Sequence, residues 1–382
     1  MEFGYTPEQK MFKKVIREFA KNEVEPIATE IDENSRFPWE TVKKMAKMGL
    51  FGITVPKEYG GAGADYITYV IAIEEISKAC ASTGGIIAAV NSLAAWPLHQ
   101  YGTHEQKMKY LLPMAKGDTL GAFGLTEPEA GSDAFNQQTT AEDKGDHYIL
   151  NGNKIFISGG DVADTIIMFA KLVTKRGKRG RMCAFIVEKT SPGFSVGVKE
   201  NKMGIRASGT AELVMQDCTI PKDNLLGEVG QGFEIAMNTL DGGRIGIAAQ
   251  ALGIAQGSLD AAVKYAKERK QFGSTISRFQ SIQWMLADIY TETEAARLLT
   301  YKSAWLKQND MPYSTEAAQA KLYASELCEK AATQAIQIHG GYGYMKDYPI
   351  ERFFRDSKIT QIYEGTSEIQ RLVIATNLLK GI

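Results

Sequence analysis

One stretch near the carboxyl end of the chain decides how the rest is interpreted: Ile362-Tyr363-Glu364-Gly365-Thr366-Ser367-Glu368-Ile369-Gln370. Ser367 and Gln370 have the spacing of a capping box, so a helix is predicted to begin after Gly365. Glu364 then stands directly ahead of a capped helix. By itself this position allows two interpretations, a first-turn acid that interacts with the helix dipole or a reactive carboxylate.

Long helical patterns lead up to this stretch and also open the chain. One helix is predicted to begin near Phe279, and another over about 315–338, where Gly340-Gly341 provides a stop signal. Near the amino end, Thr6 and Thr103 are each followed three residues later by glutamine, which again predicts capped helices. The two ends of the chain are therefore expected to be helical.

The middle of the chain has a different pattern. From about residue 121 to residue 226, short β-rich runs alternate with turns. Helices, then a β block, then long antiparallel helices predict an α+β protein of three domains. We expect a helical amino-terminal domain at 1–120, a barrel- or sandwich-like β domain at 121–226 and a four-helix bundle at 227–382.

Three local signals refine this picture. Asn151-Gly152 lies between two alternating runs and predicts a tight hairpin. Gly84-Gly85 is predicted to interrupt the helical pattern of the first third. The basic cluster at 175–181 lies between two strand candidates and is interpreted as a solvated loop, with an anion-binding patch as the alternative.

Composition excludes several classes of protein. The 382 residues contain 44 basic and 45 acidic side chains, so the formal charge is −1 and the basic excess of a nucleic-acid binder is missing. No apolar run approaches the ~20 residues of a membrane span, and the first ten residues do not resemble a signal peptide. The four widely spaced cysteines predict free thiols rather than disulfides or a zinc site. We therefore expect a cytoplasmic protein without a nucleic-acid partner.

Several common active-site motifs are also absent. The sequence contains no GxxxxGK[ST], GxGxxG, GxSxG or HExxH. Its four histidines do not form the repeated ExxH motifs of a di-iron helix bundle, and we expect no metal site. What remains is an enzyme with an organic cofactor, or a protein without catalytic activity.

Two further segments accompany 362–370. Residues 124–133 form a turn-rich loop with hydroxyls and backbone donors, suited to a polar ring edge or a phosphate. Residues 268–273, followed by Phe279-Gln280, place a basic group beside an aromatic ring. Together the three segments resemble the acyl-CoA dehydrogenase family, and most closely its bacterial short-chain (butyryl-CoA-type) members. The resemblance covers essentially the whole chain, with further matches at 202–208, 240–244 and 337–344.

The resemblance implies one FAD per subunit and a homotetramer built as a dimer of dimers. FAD would lie between the β domain and the carboxyl-terminal helices, and a neighbouring subunit would complete its site. By similarity, the isoalloxazine ring would be surrounded by Leu125, Thr126, Phe156, Ile157 and Ser158. Contacts across the subunit boundary would come from Arg269, Gln271, Phe272, Gln280, Gln337 and Gly341. Thr366 and Glu368 would approach the phosphate and adenosine side, although Glu368 is equally consistent with a helix-dipole acid.

The resemblance also implies a reaction. The family removes the α-proton of an acyl-CoA thioester and transfers the β-hydrogen to flavin, which gives a trans-2-enoyl-CoA. Glu364 would be the base, and its backbone N–H and a ribityl hydroxyl of FAD would hold the thioester oxygen. Some members carry the base on an earlier helix, where this chain has Gly243. Substrate contacts would come from Ser132, Asp241, Arg244, Tyr363 and Gly365, with an i, i+3 ion pair as the alternative for Asp241 and Arg244.

The function expected from the resemblance is dehydrogenation of a short-chain acyl-CoA, with electrons passed to an electron-transfer flavoprotein. Alternatives are a branched or alicyclic acyl-CoA, operation as an enoyl-CoA reductase, an oxidase, and a partner or DNA-binding homologue that is not an enzyme. The region from Ala88 to Leu98 is expected to set the depth of the acyl pocket. Within it, Trp96 is interpreted as core, or else as part of the pocket lining.

Overall fold

The computed structural model describes residues 4–173 and 179–381. Residues 175–178 of the basic cluster at 175–181 lie outside the described residues. The described chain has helices at both ends and a sheet between them, which confirms the predicted α+β class. Its order of elements follows the sequence pattern.

The amino-terminal part is a group of short helices. Capping boxes at Thr6 and Thr103 are both present, as the sequence predicts. From residue 4 onward, three π-helical turns, at Ala20–Val24, Ala89–Ala95 and Lys107–Leu111, connect some of the helices. The helices are α1 (Pro7–Phe19), α2 (Ala28–Glu33), α3 (Trp39–Lys47), α4 (Tyr66–Ser77), α5 (Ala81–Ala88), α6 (Trp96–Tyr101), α7 (His104–Gln106) and α8 (Leu112–Lys116).

The predicted interruption at Gly84-Gly85 is wrong. Both glycines lie inside α5, and a Cβ built on Gly84 would overlap the Ser77 side chain, while one on Gly85 would lie 2.8 Å from Gln250 Nε2. The glycine pair therefore allows close helix packing instead of ending a helix. Pro97 is accommodated in the first turn of α6, where a missing N–H costs little, directly after a π-helical turn.

Among the described residues, the middle part is one mixed sheet of eight strands. They are β1 (Gly121–Gly124), β2 (Thr140–Asp143), β3 (His147–Ser158), β4 (Thr165–Val173), β5 (Arg179–Glu188), β6 (Phe194–Lys199), β7 (Thr210–Pro221) and β8 (Leu225–Leu226). The strand order is β6-β7-β3-β2-β4-β5-β8, and β1 pairs in parallel with β4. Tyr148, Phe169 and Phe185 are among its largest buried side chains.

The predicted hairpin at Asn151-Gly152 is also wrong. β3 runs straight through this dipeptide, and its register against β7 shifts between Leu150 and Gly152 as in a β-bulge. Gly152 has φ +147°, and a Cβ there would come within 3 Å of Thr139. Asn151 is tied to the neighbouring strand because its side chain accepts from Asp217 N at 2.8 Å. A glycine that suits a tight turn suits a bulge equally well.

The carboxyl-terminal part consists of long helices, and α10 and α11 begin where the sequence predicts. After α9 (Gly232–Glu268) come two short strands, β9 (Lys270–Gln271) and β10 (Ser274–Thr275). The remaining helices are α10 (Gln280–Gln308), α11 (Ser314–His339), α12 (Ile350–Ile359) and α13 (Ser367–Lys380). The cap of α13 differs from the prediction. Thr366 is the N-cap, and Gln370 instead donates to the carbonyls of Glu364 and Gly365.

The parts are packed against each other rather than merely linked. One buried apolar cluster extends from the amino-terminal helices into the sheet at Phe169 and into α9 at Ile245. Asp356 of α12 accepts from the backbone N–H of Ile205, which follows β6, at 2.6 Å. These contacts fix the segment after α12 relative to the sheet.

Candidate active site

A cavity of about 730 Å³ lies where the three parts meet. The amino-terminal helices contribute Ala88, Ala89 and Leu93, and α9 contributes Leu240 and Ile247. The rest of the wall comes from the sheet, the loop after β1, α12, and the segment between α12 and α13. All three parts of the fold therefore form one site.

Glu364 lies at this cavity in an uncommon backbone conformation. Its φ is +51°, and that of the following Gly365 is +91°. A left-handed conformation at a residue with a side chain is unfavourable and persists only where the surroundings enforce it. Gln370 Nε2 donates to the carbonyls of Glu364 at 3.2 Å and Gly365 at 2.8 Å, and Lys321 Nζ donates to that of Gly365 at 2.6 Å.

The Glu364 carboxylate is shielded and incompletely paired. Its Oε2 is buried and has no hydrogen-bond partner among the described residues. This oxygen lies against α9, because a Cβ built on Gly243 would overlap it and would also lie 3.1 Å from Leu93 Cδ2. Gly243 thus gives the carboxylate the room that it occupies.

Burial has the largest effect on the pKa of the Glu364 carboxyl group. It raises the pKa of Glu364 to about 7, and the positive charges of Lys321 and Arg244 oppose that rise. A carboxyl group with such a pKa exchanges its proton near neutral pH, which is the property that a general base needs.

The loop after β1 presents Leu125, Thr126 and Ser132 to the cavity. Its base is held by the fully buried Lys154, whose Nζ donates to Glu127 Oε1 at 2.7 Å and to Leu125 O at 3.1 Å. Gln137 Oε1 also accepts from this ammonium at 2.7 Å. An ion pair beneath the loop therefore fixes the first cavity-facing residue.

Phe156, Ile157 and Ser158 line the same wall from the end of β3. A second register shift lies between Lys154 and Ile157, and Phe156, which is inside it, has φ +57°. The bulge turns the Phe156 ring out of the sheet, and 61% of its surface is exposed. Bulges commonly redirect a side chain in this way next to functional sites.

Arg244 and Tyr363 extend the cavity wall on its helical side. Arg244 forms the i, i+3 ion pair with Asp241 that the sequence allows, and it lines the cavity whereas Asp241 does not. The hydroxyl of Tyr363 donates to Gln250 Oε1, and Gln250 Nε2 donates to Ala81 O at 2.8 Å. Gly365 and Thr366 complete this edge.

The remaining candidate residues lie elsewhere on the chain. Glu368 is exposed in the first turn of α13. On the surface of the carboxyl-terminal helices and their connections, outside the cavity wall, lie Arg269, Gln271, Phe272, Gln280, Gln337 and Gly341. Phe272 is 95% exposed at φ +49°. Within a single chain these six residues are not brought to Glu364.

Trp96 and Asn91 do not line the cavity. Trp96 packs edge-on against Tyr101 and under Lys307, whose Nζ lies 4.5 Å from the indole centroid. Asn91 is buried and holds the backbone of Ile53 and Leu50. Trp96 is half-buried, and it belongs neither to the cavity wall nor to the buried apolar clusters of the described residues.

Sequence reasoning missed the supporting role of four residues at the site, Lys154, Gln250, Lys321 and Gln370, the last of which it interpreted only as a helix-capping partner. A signal for Lys321 was present, because it shares the helical spacing of Ala317, Ser325 and Cys328, which are all buried on one face of α11. A charged side chain on such a face needs a specific partner. Gln250 gave no comparable signal.

Two absences hold within the described ranges. No group of three or more His, Cys, Asp or Glu side chains in residues 4–173 and 179–381 could hold a metal ion. Every helix in those ranges falls short of the length and apolar character that a membrane span requires. The four cysteines are buried and unpaired.

A cavity shared by helices and a sheet, with a shielded carboxylate of raised pKa facing it, defines a three-part enzyme with an internal acid–base site. Comparison with known proteins narrows this class. Family models described as the N-terminal, middle and C-terminal domains of acyl-CoA dehydrogenase match residues 6–118, 122–218 and 230–379. The chain belongs to the acyl-CoA dehydrogenase family, which makes it an oxidoreductase.

Three full-length relatives are informative. A short-chain specific acyl-CoA dehydrogenase from Clostridium acetobutylicum is 55% identical over 380 residues, 100% of each chain. An acryloyl-CoA reductase (NADH) from Anaerotignum propionicum is 52% identical over 100% of this chain and 96% of its own. A chain in a structure reported for the electron transferring flavoprotein of Acidaminococcus fermentans, on flavin-based electron bifurcation, superimposes with TM-score 0.97 and 53% identity, covering 100% of both chains.

Proposed function

We propose that this protein catalyses FAD-dependent α,β-dehydrogenation of a short-chain acyl-CoA thioester to the trans-2-enoyl-CoA and passes the electrons to an electron-transfer flavoprotein. The observation that carries the proposal is Glu364, which lines a cavity of about 730 Å³ and whose carboxylate has a shielded and unpartnered Oε2. The name of the Clostridium relative, a short-chain specific acyl-CoA dehydrogenase, supports the substrate, and the Acidaminococcus structure, which is reported for an electron transferring flavoprotein, supports the acceptor.

The cofactor is FAD, which solved complexes of other family members contain. The residues present fit such a group. Thr126 and Ser158 offer hydroxyls at the cavity wall, and the outward-turned Phe156 offers an aromatic face. Bound FAD supplies the acceptor for the β-hydrogen and its electron pair.

Glu364 takes the α-proton of the thioester. Its proton-free form is favoured above its pKa of about 7, and Oε2 has no protein donor that would compete with a carbon acid. The left-handed turn and its three hydrogen bonds hold the carboxylate in place, so little reorganisation is needed when the proton moves.

Negative charge that develops on the thioester oxygen needs a donor. In the part of the chain that the structure describes, the backbone N–H of Glu364 donates to no protein acceptor. We propose that this N–H holds the thioester oxygen, because a donor placed where charge grows lowers the barrier more than one that binds the ground state.

We propose that one wall of the cavity limits the size of the acyl group and that another wall contacts the CoA portion of the substrate. Tyr363 and Gln250 line the cavity as a hydrogen-bonded pair, and we propose that they limit it to short acyl groups. Arg244, oriented by Asp241, and Ser132 are proposed to contact the CoA portion. Gly365 leaves the backbone beside the thioester uncrowded.

A second copy of the chain is part of the proposal. The surface positions of Arg269, Gln271, Phe272, Gln280, Gln337 and Gly341 support their role as contacts to the FAD of a neighbouring subunit in a homotetramer. We propose that Thr366 and Glu368 contact the phosphate and adenosine side of FAD. We propose domain boundaries at 1–120, 121–226 and 227–382, and a cytoplasmic location.

The reverse reaction is a second candidate because a relative of the same length is named acryloyl-CoA reductase (NADH). The same carboxylate would then return the α-proton. Chemistry at Glu364 does not distinguish the two directions.

Anaerobic titration of the purified flavoprotein with straight, branched and cyclic acyl-CoAs tests the proposal. We expect bleaching of the flavin absorbance with butyryl-CoA and other short straight chains, and weaker bleaching with longer or cyclic chains. Reduction by none of the acyl-CoAs would contradict the proposed activity. Faster flavin oxidation by enoyl-CoA than reduction by acyl-CoA would favour the reductase.

The activity is expected to depend on pH through Glu364. A base must be unprotonated, so kcat/KM should fall about tenfold for each pH unit below about 7 and level off above it. The pH profile of kcat/KM reports the free enzyme and is therefore the measurement to compare. A profile that stays flat down to pH 5 would exclude a base with this raised pKa.

Gly243→Ala should displace the carboxylate, because the added Cβ overlaps Glu364 Oε2. We expect the rate constant of flavin reduction to fall about 10–100-fold with the flavin retained. The matched comparison is a cycle with Glu364→Asp, whose side chain is one methylene shorter. If steric overlap is the cause, Gly243→Ala costs less in the Asp background, whereas equal losses in both backgrounds would reject it.

A further inference from the structure

Lys321 is a buried charge that the reaction as described does not use. It lies on α11, is fully buried, and has Gly365 O as its single protein acceptor in the described part of the chain. Burying an ammonium ion costs free energy unless it is paired and fully hydrogen-bonded. Its burial with one neutral acceptor therefore calls for an explanation other than stability.

Donation to Gly365 O does not by itself explain a lysine. Gln370 Nε2 already donates to the same carbonyl at 2.8 Å and to that of Glu364 at 3.2 Å. A neutral side chain thus holds the turn from the α13 side. What Lys321 adds from α11 is a second donor, at 2.6 Å, together with a positive charge.

We propose that Lys321 is a positioning residue for the catalytic carboxylate: its buried ammonium locks the left-handed Glu364-Gly365 turn and supplies the positive charge that keeps Glu364 able to ionise in the cavity. The inference rests on the proposed role of Glu364 as the base. The positive φ of Glu364, a residue with a side chain, requires this kind of external restraint, whereas Gly365 adopts its own positive φ without strain.

The charges around Glu364 support this assignment. Burial raises the pKa of Glu364, and Lys321 opposes the rise more strongly than Arg244 does. Tyr69 of α4 and the adjacent Tyr363 also face the carboxylate. Burial raises the pKa of both phenols and the negative charge of Glu364 raises them further, so both stay neutral. Burial lowers the pKa of Lys321 to about 8, and the negative charges of Glu364 and Glu368 oppose this effect, so Lys321 carries its positive charge at the pH of the acid limb.

The protonation state of Glu364 depends on which of these positive charges are already compensated. Arg244 is already paired with Asp241, so its charge is partly compensated. Lys321 has no carboxylate among its hydrogen-bond partners. Without Lys321, the carboxylate would be protonated over a wider pH range and less of the enzyme would hold a base.

Three variants at one position test the proposal. Lys321→Met removes charge and donor, Lys321→Gln removes the charge but keeps an N–H donor, and Lys321→Arg keeps both. We expect the acid limb of the kcat/KM profile to move up by about one pH unit or more in the Met and Gln variants and to stay in place in the Arg variant. At pH values below the limb, this shift corresponds to an about tenfold lower kcat/KM.

Gln370→Met is the matched control, because it removes a neutral donor to the same carbonyl. It should lower the plateau of the profile without moving the acid limb. If Lys321→Met does not fold, the comparison of the Gln and Arg variants decides. An acid limb that stays at the wild-type pH in Lys321→Gln overturns the proposal, and so does an equal shift in Gln370→Met.

A readout without turnover separates this inference from the proposed function. Infrared difference spectra of the holoenzyme follow the protonated carboxyl band of Glu364, which Glu364→Gln identifies by its loss. The band should persist to higher pH in Lys321→Gln than in the wild type. If Glu364→Gln stays active while the band still shifts, the role as base fails and the coupling to Lys321 stands. If the band does not shift and Glu364→Gln is inactive, the role proposed for Lys321 is rejected and the role of Glu364 as the base stands.

Discussion

Glu364→Gln should retain its yellow flavin and lose acyl-CoA-dependent flavin reduction by about 10²–10⁴-fold. The amide has nearly the shape of the carboxyl group and cannot accept a proton from carbon. The change also removes a charge that burial disfavours, so the variant should fold at least as well as the wild type near and above pH 7. Stopped-flow reduction under anaerobic conditions measures the effect.

The control for this variant is Glu142→Gln, the same chemical change at an exposed side chain that pairs with Lys144 on the sheet. It should reduce flavin at the wild-type rate. A Glu364→Gln protein that reduces flavin within a few-fold of that rate would refute the assignment of the base. A variant that loses its flavin would instead assign Glu364 to cofactor retention.

The largest effect on stability is expected from Lys154→Met. The side chains of Lys154 and Glu127 are 0% and 3% exposed, and the pair lies beneath the loop that carries Leu125 and Thr126. Removing the cation leaves a buried carboxylate whose remaining donors are the backbone N–H groups of Gln138 and Thr139. Breaking a buried pair in this way costs about 3–5 kcal/mol.

Urea titration of the holoenzyme measures this loss in the free energy of unfolding. Lys144→Met is the matched control, because Lys144 and Glu142 form an exposed pair on the same sheet, and it should cost about 0–1 kcal/mol. We also expect Lys154→Met to bind FAD more weakly, since Leu125 O loses its donor. Equal stability of the two variants would show that the buried pair contributes little.

Patterns that depend on neighbours in sequence were predicted well. The capping boxes at Thr6 and Thr103 and the starts of α10 and α11 need only residues within one or two turns. The α+β class follows from the change of hydrophobic period along the chain. These features are local, so tertiary packing had little to override.

Predictions made from glycine positions were less accurate, because a glycine can end a helix, close a hairpin, form a bulge or allow close packing. Gly84, Gly85 and Gly152 were expected to break a helix or close a hairpin. In the structure the first two allow helices to approach, and Gly152 forms a bulge. Which of these occurs depends on what packs against the missing side chain, and the sequence does not contain that information.

The cap of α13 shows the same limit at the site itself. Ser367 and Gln370 have capping-box spacing, but the cap is one residue earlier, at Thr366. Gln370 is thereby free to hold the Glu364-Gly365 turn. Because the cap lies one residue earlier than predicted, Gln370 supports the candidate base instead of capping the helix.

The sequence by itself determined the order of helices and strands, the family, and the carboxylate that heads the last helix, because these are written in local patterns and recognisable segments. Only the tertiary structure decided that Lys321 and Gln370 hold that carboxylate and that Gly243 makes room for it. It also decided that Lys154 and Glu127 form an ion pair beneath the opposite wall. The physical reason is that burial, charge pairing and steric overlap depend on distances between residues far apart in the chain, which only the folded packing fixes.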